Sequence, residues 1–450
     1  MSGRRGEGRP AAVAPRALAP LAKALRSGEL DLGDYIEAAL ERLDEFEPAL
    51  RTLLPEEGRR ERLRAEAAAL AARYPDPASR PPLYGALLGV KDIYAAEGFP
   101  TRAGSKLPPE LFAMPEGPLV SALKRSGALV LGKTVTTEFA YFAPGPTANP
   151  WDTARTPGGS SSGSAAAVAA GFCSLATGTQ TIGSISRPAA FCGVAGWKPG
   201  YERLSREGIV PFSPSVDHAG LFAPDAAGLA LAASVATPDW DEGRRARAAA
   251  AYGKGRPVLA VPEGPFLAQA EPAGLAAFEA AVDRLAAAGF TIVRAPAFGD
   301  IEAINARHRL ICAADIALVH AAWFDAHEAL YAPQTAELIR TGRAVSPASL
   351  AAAQAGRTEL REALEAGLGK AGASFWLCPA APGPAPLGLA ATGSPIMNLP
   401  WTHAGLPTLA LPAGLSAEGM PLGLQLAGRF GGDEELLALG VLIEEAIADA

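Results

Sequence analysis

Cysteine is scarce. Four cysteines, Cys173, Cys192, Cys312 and Cys378, lie far apart in 450 residues. None forms a Cys-x-x-Cys pair, so neither a zinc knuckle nor a disulfide framework is expected. Free thiols in a reducing cytoplasm are the simple reading. Histidine numbers only five (His218, His308, His320, His327, His403), and none sits in a glycine-rich loop. Charge is thin, at 19% of residues against 49% apolar ones, which permits a sizeable core and argues against wholesale disorder. The net charge of −7 gives no reason to expect nucleic acid or an anionic membrane as partner. Long hydrophobic runs are missing. Ala165 to Ala170 is too short and too glycine-bounded to span a bilayer. The start carries Arg4, Arg5, Arg9 and Arg16 without an unbroken apolar stretch, so it does not read as a secretory signal. Residues 1–16 are expected to be a flexible tail. No repeat or heptad run is present, which removes solenoids and coiled coils.

What is abundant is glycine, at 49 residues, and it gathers with serine in Pro157-Gly158-Gly159-Ser160-Ser161-Ser162-Gly163-Ser164. Helix-forming Ala165 to Ala170 follows at once. Glycine lets the backbone lie close to a ligand, and serine brings hydroxyls. The stretch predicts a loop that delivers serines to the start of a small, tightly packed helix. A flexible linker would show a composition shift across it, and there is none.

Short apolar runs of strand length recur along the chain: Leu87 to Ile93, Leu129 to Leu131, Cys173 to Thr177, Pro257 to Pro262, Phe290 to Val293, Leu409 to Leu411 and Leu422 to Leu426. Helical patterns separate them. One is capped by Asp31, with Tyr35, Ile36, Ala39, Leu40, Leu43 and Phe46 on one face. Another runs from Glu56 to Arg73. The alternation predicts an α/β fold with helices on both faces of a sheet.

Three residues stand apart chemically: Lys91 inside an apolar strand, Ser160 in the first Gly/Ser loop, and Ser184 in a second small-residue loop, Gly178 to Ala190. A strand-end lysine can simply snorkel to solvent, and serine-rich turns are common. A hydroxyl is a poor nucleophile until something removes its proton, and none of the five histidines sits within either loop. A lysine kept neutral by burial can serve as base, and a second serine can relay the proton. Successive N–H groups of Thr181, Ile182, Gly183 and Ser184 suit an oxyanion hole.

The conjunction resembles the amidase signature family. The matching stretches are Gly89-Val90-Lys91-Asp92, Thr156 through Gly171, Gly183-Ser184 with Pro188 to Gly193, Lys198-Pro199, Ser213 to Asp217, and Gly405-Leu406-Pro407 through Gln425-Leu426. The resemblance implies one α/β/α domain over 17–450, built around a large mixed twisted sheet. A divergent helical pocket segment would occupy about 239–375. It implies a triad of Lys91, Ser160 on a cis peptide bond, and nucleophilic Ser184. No metal and no cofactor are implied. The partner is a small-molecule amide, and a homodimer is compatible with the pattern. Asp92 is expected to be structural.

Departures from the family pattern matter. Where many members read Asp-Thr-Gly-Gly-Ser-Ile-Arg, this chain reads Gln180-Thr181-Ile182-Gly183-Ser184-Ile185-Ser186. An acid and an arginine are lost together, which avoids stranding a buried charge. Arg187 instead offers a fork for a substrate carboxylate or for backbone carbonyls. Arg187, Gln180 and Ser161 are the expected substrate contacts, although Ser161 and Ser162 also suit loop shaping. Ile182 replaces glycine and is expected to narrow the pocket. The arrangement is similar to malonamidase-like amidases. Three other readings stay open. An α/β-hydrolase with Ser161 as its elbow serine would need a strand where Pro150 to Pro157 stand. A glutamyl-tRNA(Gln)-type amidotransferase component would need partner chains. An inactive binding protein would not need to keep all three triad positions.

Overall fold

The computed structural model describes residues 9–448. Ten strands form one sheet: β1 (Leu87–Lys91), β2 (Leu129–Thr134), β3 (Leu175–Gln180), β4 (Ala195–Lys198), β5 (His218–Ala223), β6 (Leu259–Glu263), β7 (Ile292–Pro296), β8 (Phe375–Pro379), β9 (Thr408–Leu415) and β10 (Pro421–Ala427). Their order is β2-β1-β3-β5-β4-β9-β10-β8-β6-β7. Parallel pairs lie at the two ends, β2-β1-β3 and β8-β6-β7. The strands between them pair antiparallel. Helices cover both faces, so the expected α/β/α architecture with a mixed sheet is present.

The central strands are buried on both faces because both faces are covered. Every residue of β1, β3, β5 and β8 is buried. On one face lie the helices Leu32–Leu50, Arg59–Arg73 and Ser162–Ala169, joined in a core with Leu87, Ala176 and Phe222. On the other lie Ala226–Ala236, Ile301–Val319 and Asp433–Ala448, packed with Trp197, Trp376 and Trp401. Ser162–Ala169 is buried along its whole length. Only small side chains permit that approach. A Cβ on Gly163 would run into Thr52 O and Val135 N.

The helix start at Asp31 is as expected, its carboxylate accepting from Asp34 N at 3.1 Å. Strand boundaries shift by a few residues, and three strands, β4, β5 and β8, carry no alternation that could reveal them. The tail expectation needs correction in part. Residues 1–8 lie outside the described residues. Residues 9–16 are held in place: Val13 is buried, and Ala14 N donates to Ala169 O at 3.1 Å. Arg42 reaches the carbonyls of Ala11 and Ala12. Among the described residues no single helix is long and apolar enough to cross a membrane.

Candidate active site

The neighbouring parallel strands β1 and β3 end side by side, and the chemistry gathers at their carboxyl ends, where open α/β sheets commonly hold ligands. Lys91 is the last residue of β1 and is fully buried. Its Nζ donates to Ser160 Oγ at 2.9 Å and to Thr179 Oγ1 at 2.7 Å. Its backbone N–H donates to Thr177 Oγ1 at 2.9 Å. Thr177 and Thr179 are alternate residues of β3 and therefore share a face.

No carboxylate pairs with Lys91 among the described residues. The nearest candidate in sequence, Asp92, is taken by a second buried lysine, with Lys133 Nζ 2.8 Å from its Oδ1. Burial pushes the Lys91 amine well below the usual lysine range, with Asp217 opposing at a distance. Lys133 is also drawn down by burial, but Asp92 acts against the shift. The two lysines thus differ in kind. One is half of an ion pair, and the other is an amine that burial favours in its neutral form.

Ser160 sits on the loop before helix Ser162–Ala169, and the Gly159–Ser160 peptide is cis. Ser161 is buried behind it. Its Oγ bonds Thr179 O and Thr179 N, both at 3.3 Å. That ties the serine loop to β3 and engages the Ser161 hydroxyl within the protein. Ser162 Oγ donates back to Gly158 O at 2.8 Å.

The loop after β3 carries Ser184. Four consecutive N–H groups, from Thr181 to Ser184, donate to no acceptor among the described residues. Their carbonyls are held elsewhere. Thr181 O bonds His308 Nε2 at 2.9 Å, Ile182 O accepts from Thr402 Oγ1 at 2.9 Å, and Gly183 O accepts from Arg187 N at 3.0 Å. A Cβ on Gly183 would meet Asn398 Oδ1 and lie 2.8 Å from Pro395 Cβ. Ser184 Oγ makes no hydrogen bond among the described residues, and none joins it to Ser160. Ser184 lines a small slot of about 10 Å³ with Tyr141, Phe142, Ile182, Arg187 and Pro395. A larger cavity of about 700 Å³ lies beyond Ala140, walled by Ile93, Thr179, Thr181, Phe212 and Asp217.

The expected substrate contacts are placed differently. Gln180 is fully buried and spent within the protein. Its Oε1 accepts from Ile185 N at 2.8 Å and Ser186 N at 2.9 Å, and its Nε2 donates to Thr402 Oγ1 at 3.0 Å. It replaces a charge with a neutral group that caps the turn carrying Ser184. Arg187 is buried beside Ser184, but its terminal nitrogens donate to Gly393 O, to Gly159 O at 2.5 Å and to Thr392 Oγ1 at 3.2 Å. Burial lowers it to about 9, and no carboxylate faces it among the described residues. Its fork grips the peptide that precedes Ser160 rather than standing free for a substrate. Only its Nε lacks a partner. Ile182 lines the slot at Ser184.

Sequence reasoning missed Thr179, whose signal is the two-residue spacing of threonines on a buried strand. It also assigned no role to Asp217. That carboxylate accepts from Thr181 Oγ1 at 2.5 Å, Phe212 N at 3.0 Å and Ser213 N at 2.8 Å, and so anchors the first residue of the loop that carries Ser184. Among the described residues no three His, Cys, Asp or Glu side chains are grouped so as to hold a metal ion.

A mixed sheet with a buried lysine, a serine loop and a second serine at its strand ends defines an amide-bond enzyme class. The family model described as Amidase matches residues 34–437, and the chain belongs to the amidase signature family. It is 32% identical to the A component of glutamyl-tRNA(Gln) amidotransferase from Synechococcus sp. strain RCC307, over 94% of this chain and 96% of that protein. Among solved structures it is similar to an amidase, with TM-score 0.84 and 32% identity over 96% of this chain and 100% of that one. It is also similar to the native peptide amidase of Stenotrophomonas maltophilia, with TM-score 0.82, 27% identity and 97% of each chain covered.

Proposed function

We propose that this protein hydrolyses the carbon–nitrogen bond of a small neutral amide through an acyl-enzyme on Ser184. The observation that carries the proposal is the buried Lys91, unpaired with any carboxylate and hydrogen-bonded to Ser160. Ser184 Oγ attacks the amide carbonyl. Its proton passes to Ser160 Oγ as the Ser160 proton passes to neutral Lys91. The N–H groups of Thr181, Ile182, Gly183 and Ser184 take the oxyanion. The relay then runs backwards: Ser160 protonates the leaving nitrogen, the C–N bond breaks, and ammonia or an amine departs. Water adds to the acyl-enzyme by the same route and releases the carboxylate. Arg187 is assigned to holding Gly159 and hence Ser160, in place of anchoring a substrate carboxylate. Phe142, Ile182 and Pro395 beside Ser184, with the Arg187 fork committed to backbone carbonyls, favour an uncharged acyl group.

The names of the curated relatives favour a second reading, in which the same site releases ammonia from glutamine for a partner chain. The replacement of the family's usual acid and arginine by Gln180 and Ser186 weighs against it. Four buried free thiols suit a reducing compartment, and we assign the protein to the cytoplasm with a small-molecule substrate and either a single chain or a homodimer.

The test is ammonia release from benzamide, hexanamide, succinamate and glutamine. Turnover of the neutral amides, lost in S184A and K91M, is expected. Turnover of succinamate alone would return Arg187 to the substrate. Turnover of glutamine alone, with stoichiometric partner chains co-purifying, would establish the amidotransferase reading instead.

A further inference from the structure

Two buried histidines have no part in the steps above, yet one of them touches the oxyanion loop. His308 lies on helix Ile301–Val319 and His403 on helix Leu399–Ala404, and both are fully buried. His308 Nε2 is 2.9 Å from Thr181 O, and its Nδ1 is 3.3 Å from His403 Nδ1. A carbonyl oxygen only accepts, so His308 carries its proton on Nε2. Its Nδ1 is then a bare acceptor, and His403 must donate from Nδ1. That leaves His403 Nε2 as a lone pair facing no donor, and it is indeed without a partner. Burial holds both rings neutral, His308 at about 3 and His403 at about 2. The pair is a short one-way chain of donors that ends on one peptide group.

That peptide is the one joining Thr181 to Ile182. In a trans peptide the C=O and the following N–H point in opposite directions. Fixing Thr181 O towards helix Ile301–Val319 therefore turns the Ile182 N–H the other way, and that N–H donates to no acceptor among the described residues. Thr402 Oγ1 does the same for Gly183 through Ile182 O. The need is greatest at Ile182, where a β-branched residue restricts the turn. Donation to the carbonyl also polarises the peptide, which strengthens its N–H as a donor.

We infer that His308, backed by His403, is a positioning residue that fixes and polarises the Thr181–Ile182 peptide for oxyanion binding. The inference rests on the reading of Thr181 to Ser184 as the oxyanion hole.

The test is the rate at which a fluorophosphonate labels Ser184, since its phosphoryl oxygen occupies the same hole, measured beside the melting temperature. Loss of a whole oxyanion donor costs about 10²–10³, so H308L is expected to label about tenfold slower or worse. H308Q puts an amide N–H where Nε2 stands and is expected to label within about threefold of the wild type. If H308L does not fold, H308N takes its place, because its amide is too short to reach Thr181 O. Labelling of a folded H308L or H308N at the wild-type rate overturns the inference. So does equal slowness of H308Q and H308L at matched stability, because the ring rather than its donor would then matter. A wild type that does not label, or S184A labelling as fast as the wild type, removes the hydrolase reading and the inference together.

Discussion

At the residue scale the distinction that matters is between two buried lysines. Lys133 has Asp92, and Lys91 has only hydroxyls. An amine whose burial lowers its pKa in the fold is neutral where the unfolded chain is protonated. Folding stability therefore falls as pH drops below the ordinary lysine value near 10.4, until the folded Lys91 itself takes a proton. K91M removes that linkage, so its unfolding free energy should gain on the wild type as pH falls, read by denaturant titration at several pH values. Activity should show an acid limb, with kcat/KM falling as pH drops through the depressed Lys91 pKa. K91M should lose about 10²–10⁴ in kcat. Removing the other lysine's partner acts on stability instead. D92N leaves Lys133 buried beside a neutral amide and should cost about 3–5 kcal/mol in the same titration.

At the scale of elements, the site is a matter of loops fixed by strands. The turn after β3 is held by Gln180, Asp217, Thr402 and His308, four side chains drawn from four parts of the chain. Gly183 has no room for a side chain against Asn398 and Pro395. G183A should displace the loop and lower kcat by about 10²–10³, with a change in melting temperature far smaller than its effect on rate. The local part of this was legible in the sequence. The glycines, the serines and the lysine advertise their loops and strand, because conformational freedom and hydroxyls are properties of residue type. The fate of Arg187 was not. Whether its fork meets a substrate or the carbonyls of Gly159 and Gly393 depends on the segment around Thr392, some two hundred residues away. The same holds for His308 and His403, whose meeting is made by helix packing alone. Strand β5 was hidden for a related reason. Buried on both faces, it has no alternation, and His218 at its start reads as the end of a turn.

At the scale of the molecule, the divergent segment contributes to the main sheet. It supplies β6, β7 and the start of β8 to the same sheet that carries Lys91, and its long helix Ile301–Val319 packs on Leu399–Ala404 beside the oxyanion loop. We propose that residues 9–448 fold as one domain, starting a few residues before the 17–450 that the sequence suggested. A single calorimetric transition is the expected outcome, and S184A should show it unchanged. Two resolved transitions would separate the segment from the sheet. The resemblance of sequence stretches conveyed the fold class and the layers. It did not convey how residues 9–16 lie down on Ala169 and Arg42, since that contact is made largely through backbone carbonyls and N–H groups that any sequence has.

Above all, Ser184 is proposed as the nucleophile and Lys91 as its ultimate base. Peptide mapping after fluorophosphonate treatment of the wild type and K91M tests it most directly. A single adduct on Ser184 in the wild type, and little or none in folded K91M, is expected. An adduct on Ser160 or Ser161, or K91M labelled on Ser184 at the wild-type rate, would contradict it.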